Sequence, residues 1–209
     1  MTLSAARVQA LLKPYGAPAP LPTCYKIMEY IELLRFWNKK IALTSVSDDE
    51  EIVSFHFGES IFALTLDEFA RGRLADVGSG AGFPGLALKL FCPDLQVTLL
   101  EPNKKKCVFL NEVARKLEFS QVEILPTGFE ESGIEPASLS YITCRALGKT
   151  ADLLNWSRNV LSSSGSVILW LGAEDAAETK KITDGWAWPR CADVPGSERR
   201  KILVGRAQI

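Results

Sequence analysis

Residues Leu74 to Gly85 read L-A-D-V-G-S-G-A-G-F-P-G, and this stretch decides the fold of the chain. An apolar run leads into an acidic residue, and glycines then follow at alternate positions. This order is typical of a tight turn after a strand, where the backbone can approach a flat or extended ligand because glycine carries no Cβ. The stretch therefore predicts a loop that binds a nucleoside-bearing cofactor.

The loop does not match the phosphate-binding pattern of P-loop proteins. That pattern is G-x-x-x-x-G-K-[ST], and Gly80 and Gly85 give its glycine spacing. Leu86 and Ala87 stand where the lysine and the hydroxyl residue are needed. A nucleoside triphosphate bound in this manner is therefore excluded.

The acidic residue distinguishes a dinucleotide from S-adenosylmethionine. Gly80, Gly82 and Gly85 satisfy the dinucleotide pattern G-x-G-x-x-G. Asp76, however, precedes the first glycine, where a carboxylate repels a pyrophosphate and attracts the ammonium group of a bound methionine. The pattern D-x-G-x-G-x-G therefore favours S-adenosylmethionine. Its candidate ligands are Asp76, Gly78, Ser79, Gly80 and Gly82.

A second acid, Glu101, follows the apolar run Val97 to Leu100. An acid about 20 residues beyond the glycines accepts hydrogen bonds from ribose hydroxyls in such sites. Because dinucleotide and S-adenosylmethionine sites both use it, Glu101 supports nucleoside binding without choosing between them. The alternative is a helix-capping acid, since N-K-K-K follows immediately.

Strand-like and helix-like segments alternate from Arg73 onward. The patterns predict strands at 73–77, 96–101, 121–125, 139–144, 165–171 and 199–205, and helices at 83–91, 103–118, 149–161 and 174–183. This alternation predicts an α/β fold with a doubly wound, mostly parallel sheet, of the Rossmann-like methyltransferase type. Ligands of such sheets bind beyond the carboxyl ends of the strands, where Asp76, Glu101 and Arg145 are expected.

Helical patterns precede the sheet and predict an N-terminal helical cap at residues 1–70, packed as one unit with a cofactor domain at 71–209. The cap begins with an amphipathic helix within residues 1–15 and a proline-rich connector. Thr23 is expected to cap a longer helix. One or two further helices, broken at Gly58, are expected between Asp48 and Leu66.

Composition narrows the protein class. The chain has 209 residues, 47% of them hydrophobic, which is enough for one sizeable core. Five cysteines without a C-x-x-C pair and a single histidine suggest neither a disulfide framework nor a metal site. With no apolar run long enough for a bilayer and no signal-peptide pattern, we expect a cytoplasmic, monomeric protein without a membrane partner.

Charge does not by itself indicate a nucleic-acid partner, because the formal net charge is −1. Basic residues are nevertheless clustered, at 35–40, 104–106, 115–116 and 199–201. Each cluster alone is most simply a solvated helix face. Several clusters on one rim would form an RNA-binding surface.

Further segments around the loop complete a family resemblance. They are W-N-K-K-I-A-L-T from Trp37, the segment from His56 to Ser60, K-K-x-x-F-L from Lys105, and C-R-A-L around Arg145. Together with D-V-G-S-G-A-G-F-P-G, they resemble the glucose-inhibited division protein B family. The resemblance implies an S-adenosylmethionine-dependent methyltransferase that modifies guanine N7 in small-subunit (16S) ribosomal RNA.

The resemblance also implies roles for individual residues. Gly78 and Phe83 correspond to loop positions that contact the cofactor, and Phe129 and Glu130 to a pair that meets its adenine. Arg145 corresponds to an arginine between the cofactor and the target base. The candidates for contact with the RNA are Lys105, His56 and Trp37, although Trp37 on an apolar stripe is equally a core residue.

The chain departs from the family pattern at four positions. Ala42, Glu59, Gly128 and Leu171 stand where Asn, Asp, Arg and Lys are usual. These departures spare the cofactor loop and reduce the polar and positive groups expected on the target side. Gly128 and Leu171 keep open a non-catalytic RNA-binding relative, and the near-neutral net charge keeps open a methyltransferase for a small molecule or protein.

The chemistry of N7 methylation suits a chain with few acid–base groups. Methyl transfer is an in-line displacement that mainly needs alignment, and guanine N7 has a lone pair but no proton to remove. Arg145 could hold the guanine through O6, or it could bind the cofactor carboxylate or a neighbouring acid. Cys144 is interpreted as a core residue rather than a nucleophile, because no base accompanies it.

Overall fold

The computed structural model describes residues 3–16, 18–67, 69, 71–146 and 148–208. Within these residues the strands are β1 (Gly72–Val77), β2 (Leu95–Leu100), β3 (Val122–Leu125), β4 (Leu139–Arg145), β5 (Leu161–Gly172), β6 (Trp186–Asp193) and β7 (Arg200–Ala207). They form one sheet in the order β3-β2-β1-β4-β5-β7-β6. The strands β1 to β5 are parallel to one another, and β7 runs antiparallel to β5 and β6. The predicted mostly parallel sheet is therefore confirmed.

Strand β6 is an element that the sequence patterns did not reveal. It lies at the edge of the sheet, and its pairing with β7 is irregular between Ala187 and Arg190. Pro189 falls inside this irregular part. Proline has no N–H to donate and is tolerated in edge strands and bulges. The edge position therefore explains how a segment with a proline becomes a strand.

Helices cover both faces of the sheet. They are α1 (Ala5–Leu12), α2 (Leu21–Asn38), α3 (Asp49–Glu51), α4 (Glu59–Phe62), α5 (Gly85–Phe91), α6 (Lys104–Lys116), α7 (Thr150–Val160) and α8 (Ala173–Thr179). A π-helical segment, Ile52–Gly58, joins α3 to α4, and 3₁₀ turns follow α1 and α4. None of the helices in these described ranges is both long and apolar enough to cross a bilayer.

Alternating side chains of the strands point into two cores. Ile168 and Trp170 of β5 join a cluster with the N-terminal helices, whereas Val167 and Leu169 join a cluster with α7. This alternation is the period of a strand that is buried on both faces. The N-terminal helices thus share one core with the sheet, and the predicted boundary near residue 70 stays a prediction.

Two local predictions for the helical cap were wrong. Helix α2 begins at Leu21, with Pro20 as its N-cap, rather than after Thr23, because proline is well tolerated at a helix start. The chain is also not broken at Gly58, which has ordinary helical dihedrals. A Cβ on Gly58 would lie 2.4 Å from the ring of Tyr15, so close packing explains this glycine.

Candidate functional site

The sheet register brings the predicted site segments together at one edge. Val77, the last residue of β1, pairs with Leu100 of β2 and with Cys144 of β4. The residues that follow these three positions are Gly78, Glu101 and Arg145. They therefore lie side by side at the carboxyl end of the parallel strands, where such folds bind ligands.

The glycine loop uses backbone conformations that suit glycine. Gly78, Gly80 and Gly82 have φ values of 69°, 56° and 84°, in the left-handed region that other residues seldom adopt. A Cβ on Gly82 would lie 2.2 Å from the Tyr30 hydroxyl oxygen. That hydroxyl donates a 2.7 Å hydrogen bond to the Ala81 carbonyl oxygen. Helix α2 thus holds the loop through Tyr30.

Asp76 is fully buried beneath the loop, where it contacts neighbouring protein groups. One carboxylate oxygen accepts a 2.7 Å hydrogen bond from Thr143 Oγ1, and the other accepts one of 3.2 Å from the Gly85 N–H. Burial raises the pKa of Asp76 to about 6, against the lowering effect of these hydrogen bonds. Asp76 therefore ties β1 to β4 and to the start of α5. Its contact with a methionine ammonium stays a prediction.

Glu101 contacts the loop directly. Its Oε2 accepts a 2.8 Å hydrogen bond from the Gly80 N–H, and its Oε1 accepts one of the same length from the Asn103 N–H. Glu101 is only 5% exposed. The Glu101 carboxylate can therefore both cap the next helix and face the loop.

Two loop side chains turn into the protein. Ser79 is buried, and its hydroxyl donates to the Asp76 carbonyl oxygen at 2.8 Å. The buried Phe83 ring stacks between His56, at 4.7 Å, and Tyr30, at 5.3 Å between ring centroids. Any contact of Ser79 with a cofactor would therefore use its backbone, and Phe83 connects the loop to the helical cap.

Phe129 and Glu130 follow β3 at the same edge of the sheet. Phe129 is buried and meets the Trp156 ring edge-on at 5.5 Å. Glu130 is exposed and forms a 3.6 Å ion pair with Lys149. The predicted adenine contact of this pair remains a prediction.

Arg145 is half-buried, and its two terminal guanidinium nitrogens have different surroundings. Its Nη2 lies 3.1 Å from His56 Nδ1. Its guanidinium carbon lies 5.6 Å from the ring centroids of both Phe55 and Phe83. Within the part of the chain that the structure describes, the buried Nη1 has no hydrogen-bond partner. Burial lowers the pKa of Arg145, while the nearby Glu59 and Asp76 oppose that shift. An unpaired buried donor costs free energy unless a ligand satisfies it.

Arg145 faces a cavity of about 440 Å³, a size suited to a small ligand or a nucleobase. Its cationic and aromatic lining comes from the end of β4, the start of β7 and the helical cap. The lining includes Thr44, Phe55, His56, Glu59, Arg145 and Arg200. His56 thus lies at the site as predicted from the sequence, although its role there stays to be tested.

Glu59 and Arg200 form an ion pair in this wall of the cavity. Their oxygen and nitrogen lie 2.6 Å apart, with Glu59 buried and Arg200 45% exposed. Burial raises the pKa of Glu59 to about 7, although Arg200 and Arg145 pull it down. Arg200 also lies over the Phe55 ring, 4.6 Å from its centroid. Phe55 was not singled out from the sequence, and its adjacency to His56 is the signal that could have found it.

The motif that begins at Trp37 forms another wall of the cavity. Asn38 Oδ1 accepts hydrogen bonds from the backbone N–H groups of Leu43 and Thr44, at 2.8 and 3.0 Å. This fixes the loop so that Thr44 Oγ1 lies 2.7 Å from His56 Nε2. Trp37 itself packs against Phe109 and donates to Glu112, away from the cavity lining. Its predicted stacking on a base therefore has no support in this arrangement.

The remaining RNA candidate, Lys105, and one of the departures, Leu171, also lie at the carboxyl end of the parallel strands. Lys105 is exposed at the start of α6, just beyond β2. Leu171, which replaces the usual lysine, pairs across the sheet with Lys201, and both line the cavity. The cavity therefore has a lysine on the adjacent strand. In the described part of the chain, no cluster of three or more His, Cys, Asp or Glu side chains could hold a metal.

The buried histidine gives a stability prediction. Burial, and then the charge of Arg145, lower the pKa of His56 to about 3, so the unfolded chain binds a proton near pH 6.5 and the folded protein does not. The contribution of His56 to the unfolding free energy is fully present above pH 6.5 and is lost as the pH falls towards 3. Against His56→Phe, we expect wild-type unfolding free energy to fall by about 1.4 kcal/mol more per pH unit between pH 6 and 4. Chemical denaturation at several pH values measures it, and parallel pH profiles would contradict it.

Comparison with known proteins identifies the family. The sequence model of GidB, described as rRNA small subunit methyltransferase G, matches residues 23–194. The ribosomal RNA small subunit methyltransferase G of Xanthomonas axonopodis pv. citri (strain 306) is 35% identical over 201 residues, covering 95% of this chain and 89% of that relative. The chain belongs to the GidB family. The resemblance drawn from the motifs is thereby confirmed.

Solved structures agree on the fold. A SAM dependent methyltransferase from Aquifex aeolicus aligns with a TM-score of 0.59 at 17% identity, covering 69% of this chain and 88% of that one. TYW2 of P. horikoshii, solved in complex with MeSAdo, aligns with a TM-score of 0.54 at 12% identity, covering 66% of this chain and 57% of that one. At these identities the likeness establishes the Rossmann-like methyltransferase fold of this GidB member.

Proposed function

We propose that this protein methylates N7 of a guanine in small-subunit (16S) ribosomal RNA, with S-adenosylmethionine as the methyl donor. Membership of the GidB family gives the class of reaction and substrate. The observation that carries the site assignment is Arg145, whose buried Nη1 has no partner among the described residues and whose side chain lines a cavity with His56, a ring that stacks on Phe83 of the glycine loop. A base that presents an acceptor to this nitrogen would satisfy it.

The loop fits the proposed cofactor. Among the described residues, a Cβ on Gly80 would meet only the Gly78 carbonyl oxygen, at 3.7 Å, so there is open space over the loop backbone. The nearby carboxylate of Glu101 suits ribose hydroxyls. We assign the amino-acid end to the Asp76 side of the loop, and the adenine to Phe129 and Glu130. When bound, the cofactor supplies a methyl group on a positively charged sulfur.

The protein's part in the reaction is alignment and exclusion of water. The N7 lone pair forms the new bond to the methyl carbon while the carbon–sulfur bond breaks, and no proton leaves the base. Arg145 Nη1 would donate to guanine O6, which leaves N7 free to react. The rings of Phe55 and Phe83 lie close to the guanidinium, with their centroids 5.6 Å from its carbon, and restrict its position. Holding the reactants in line supplies much of the rate enhancement.

The cavity also suits RNA. Arg200 and Lys201 line it, and exposed lysines begin α6 on the same edge. Cations of this kind bind phosphates, and aromatic faces bind unstacked bases. A flipped-out guanine could therefore enter while its flanking phosphates stay at the rim. We expect the protein to act on ribosomal subunits in the cytoplasm as a monomer.

Changing Glu101 to Gln tests the ribose contact. The amide keeps the shape but donates where the carboxylate accepts, so the bond from the Gly80 N–H and the bonds to two ribose hydroxyls cannot all persist. We expect the dissociation constant for S-adenosylmethionine to rise about tenfold, in line with the loss of a charge-assisted hydrogen bond. Isothermal titration calorimetry with the cofactor alone measures this. Glu123→Gln, on an exposed part of β3, is the matched control, and equal affinities of both variants would remove Glu101 from the site.

The proposed function itself is tested by methyl transfer. Purified protein is incubated with labelled S-adenosylmethionine and small ribosomal subunits from cells that lack the corresponding enzyme, and the modified base is mapped by mass spectrometry. We expect one labelled guanine with the methyl on N7, and binding that weakens steeply with salt because phosphate contacts release counterions. Label in ribosomal protein or in a small molecule would favour the rival methyltransferases. No label despite cofactor binding would favour a non-catalytic relative.

A further inference from the structure

The hydrogen bonds around His56 determine which of its nitrogens carries the proton. A guanidinium has donors and no acceptor, so the 3.1 Å contact from Arg145 Nη2 requires an unprotonated His56 Nδ1. A neutral ring then has its proton on Nε2. The 2.7 Å contact with Thr44 Oγ1 must therefore be donated by His56 Nε2–H.

Thr44 is left with a proton to donate. Its Oγ1 accepts from His56 and also from the Val46 N–H at 3.1 Å. A hydroxyl with both lone pairs occupied can still donate its own hydrogen. Thr44 lines the cavity, so this hydrogen is available to a ligand there. His56 thus stands between two groups that line the cavity, Arg145 and Thr44, and each has a donor without a hydrogen-bond partner among the described residues.

The imidazole ring is held rigidly in its plane. It stacks on Phe83 at 4.7 Å with an interplanar angle of 13°, and the Phe55 ring meets it edge-on at 5.0 Å. Three charged groups surround it: Arg145 from β4, Glu59 from the next helical turn and Arg200 from β7. Burial and the Arg145 charge both favour the neutral ring, in agreement with a pKa of about 3.

We propose that His56 is a positioning residue whose neutral Nε2–H tautomer aims Arg145 and Thr44, as two hydrogen-bond donors, at the acceptor O6 of the target guanine. This inference rests on the proposed function and adds the basis of base selection to it. Guanine presents O6 beside N7, whereas adenine presents an amino group there. Two fixed donors would face that amino group, so the arrangement selects guanine.

The chain offers a direct spectroscopic test because it has a single histidine. Protein labelled with ¹⁵N-histidine gives ring-nitrogen NMR signals that belong to His56 alone. We expect an unprotonated Nδ1 and a protonated Nε2, unchanged from pH 8 to pH 5. Thr44→Val removes the acceptor for Nε2–H and serves as the partner variant. In this variant the NMR signals of the Nε2–H tautomer should weaken. A proton on Nδ1, or a ring that titrates near pH 6.5, would overturn the proposal.

A double-mutant cycle tests whether His56 acts through Arg145. His56→Phe keeps the stacking and volume but removes both ring hydrogen bonds. We expect kcat to fall about 10- to 30-fold, with cofactor affinity within threefold of wild type. His56→Asn, whose amide oxygen can accept from Arg145, should recover part of that loss. In an Arg145→Lys background, His56→Phe should lower kcat by less than a further threefold, because the guanidinium that His56 positions is already absent.

The outcomes separate this inference from the proposed function. If the wild-type protein methylates guanine N7 and the two substitutions lower kcat independently, His56 does not position Arg145. Base selection is measured as the rate of methylation of subunits with adenine at the mapped site, divided by the rate for subunits with guanine there. If this ratio is no higher for His56→Phe than for wild type, the selection role is wrong. If the wild type modifies another atom or substrate, the proposed function fails, while the NMR result still reports the tautomer.

Discussion

Replacing Arg145 by methionine should lower the rate of methyl transfer about 10²- to 10³-fold. The substitution removes a donor held close to Phe55 and Phe83, at a site that a bound base would shield from solvent, where an electrostatic contact is strong. Methionine has a similar length but removes a positive charge near Glu59 and Asp76, of which Glu59 keeps its ion pair with Arg200. Both carboxyl groups already have pKa values raised by burial, to about 7 and about 6, and can take up a proton.

Single-turnover methyl transfer to small subunits, paired with calorimetry of cofactor binding, separates the two roles of Arg145. If it holds the base, the rate falls while the affinity for S-adenosylmethionine changes less than threefold. If it instead binds the cofactor carboxylate, affinity falls in proportion to the rate, which is the alternative that the sequence left open. Arg73→Met, at an exposed position near the opposite end of β1, is the control and should leave both quantities unchanged.

Replacing Gly82 by alanine should damage both the fold of the loop and cofactor binding. The new Cβ would lie 2.2 Å from the Tyr30 hydroxyl oxygen and 2.9 Å from a Leu86 methyl carbon, at a φ of +84°. Tyr30 is fully buried and cannot withdraw without losing its bond to the Ala81 carbonyl oxygen. Overpacking together with left-handed strain costs about 3 kcal/mol of folding free energy. We expect the affinity for S-adenosylmethionine to fall more than about 100-fold, because the loop backbone is displaced.

Gly80→Ala provides the matched comparison. Its Cβ would make only ordinary contact, at 3.7 Å, so the cost is the strain of a φ of +56°, about 1 kcal/mol. Because the added methyl points into the open space over the loop, this variant should lose cofactor affinity while remaining nearly as stable as wild type. Denaturation curves and calorimetry on both variants measure these effects. Equal unfolding free energies for Gly82→Ala and Gly80→Ala would show that Tyr30 can move away from the added methyl group. That result would contradict the expected overpacking.

The fold was predictable to a large extent because its signals are local. The period of apolar residues located β1 to β5 and β7, and the order of glycines and acids identified the turn after β1. Strand β6 was not predicted, because a segment that contains Pro189 becomes a strand only where it can pair at the edge of a sheet. Gly58 was misjudged for a related reason: its need for a small residue comes from Tyr15, which is distant in sequence.

The sequence predicted which residues form the site better than it predicted what each of them does there. Parallel pairing ensures that residues after successive strands meet at one edge, so Asp76, Glu101 and Arg145 could be grouped from the sequence. Whether a carboxylate faces a ligand depends on the other groups around it. Thr143 and the Gly85 N–H take both oxygens of Asp76, and no local pattern announces those contacts.

By itself the sequence determined the family, the sheet and the position of the glycine turn, because hydrophobic periodicity and glycine dihedrals act within a few residues along the chain. Only the tertiary structure decided what His56 does. Its neutral state comes from burial, and its tautomer comes from Arg145 and Thr44, which different segments of the chain bring to its two ring nitrogens. Desolvation and hydrogen-bond direction depend on neighbours in space, so they follow from the packed fold.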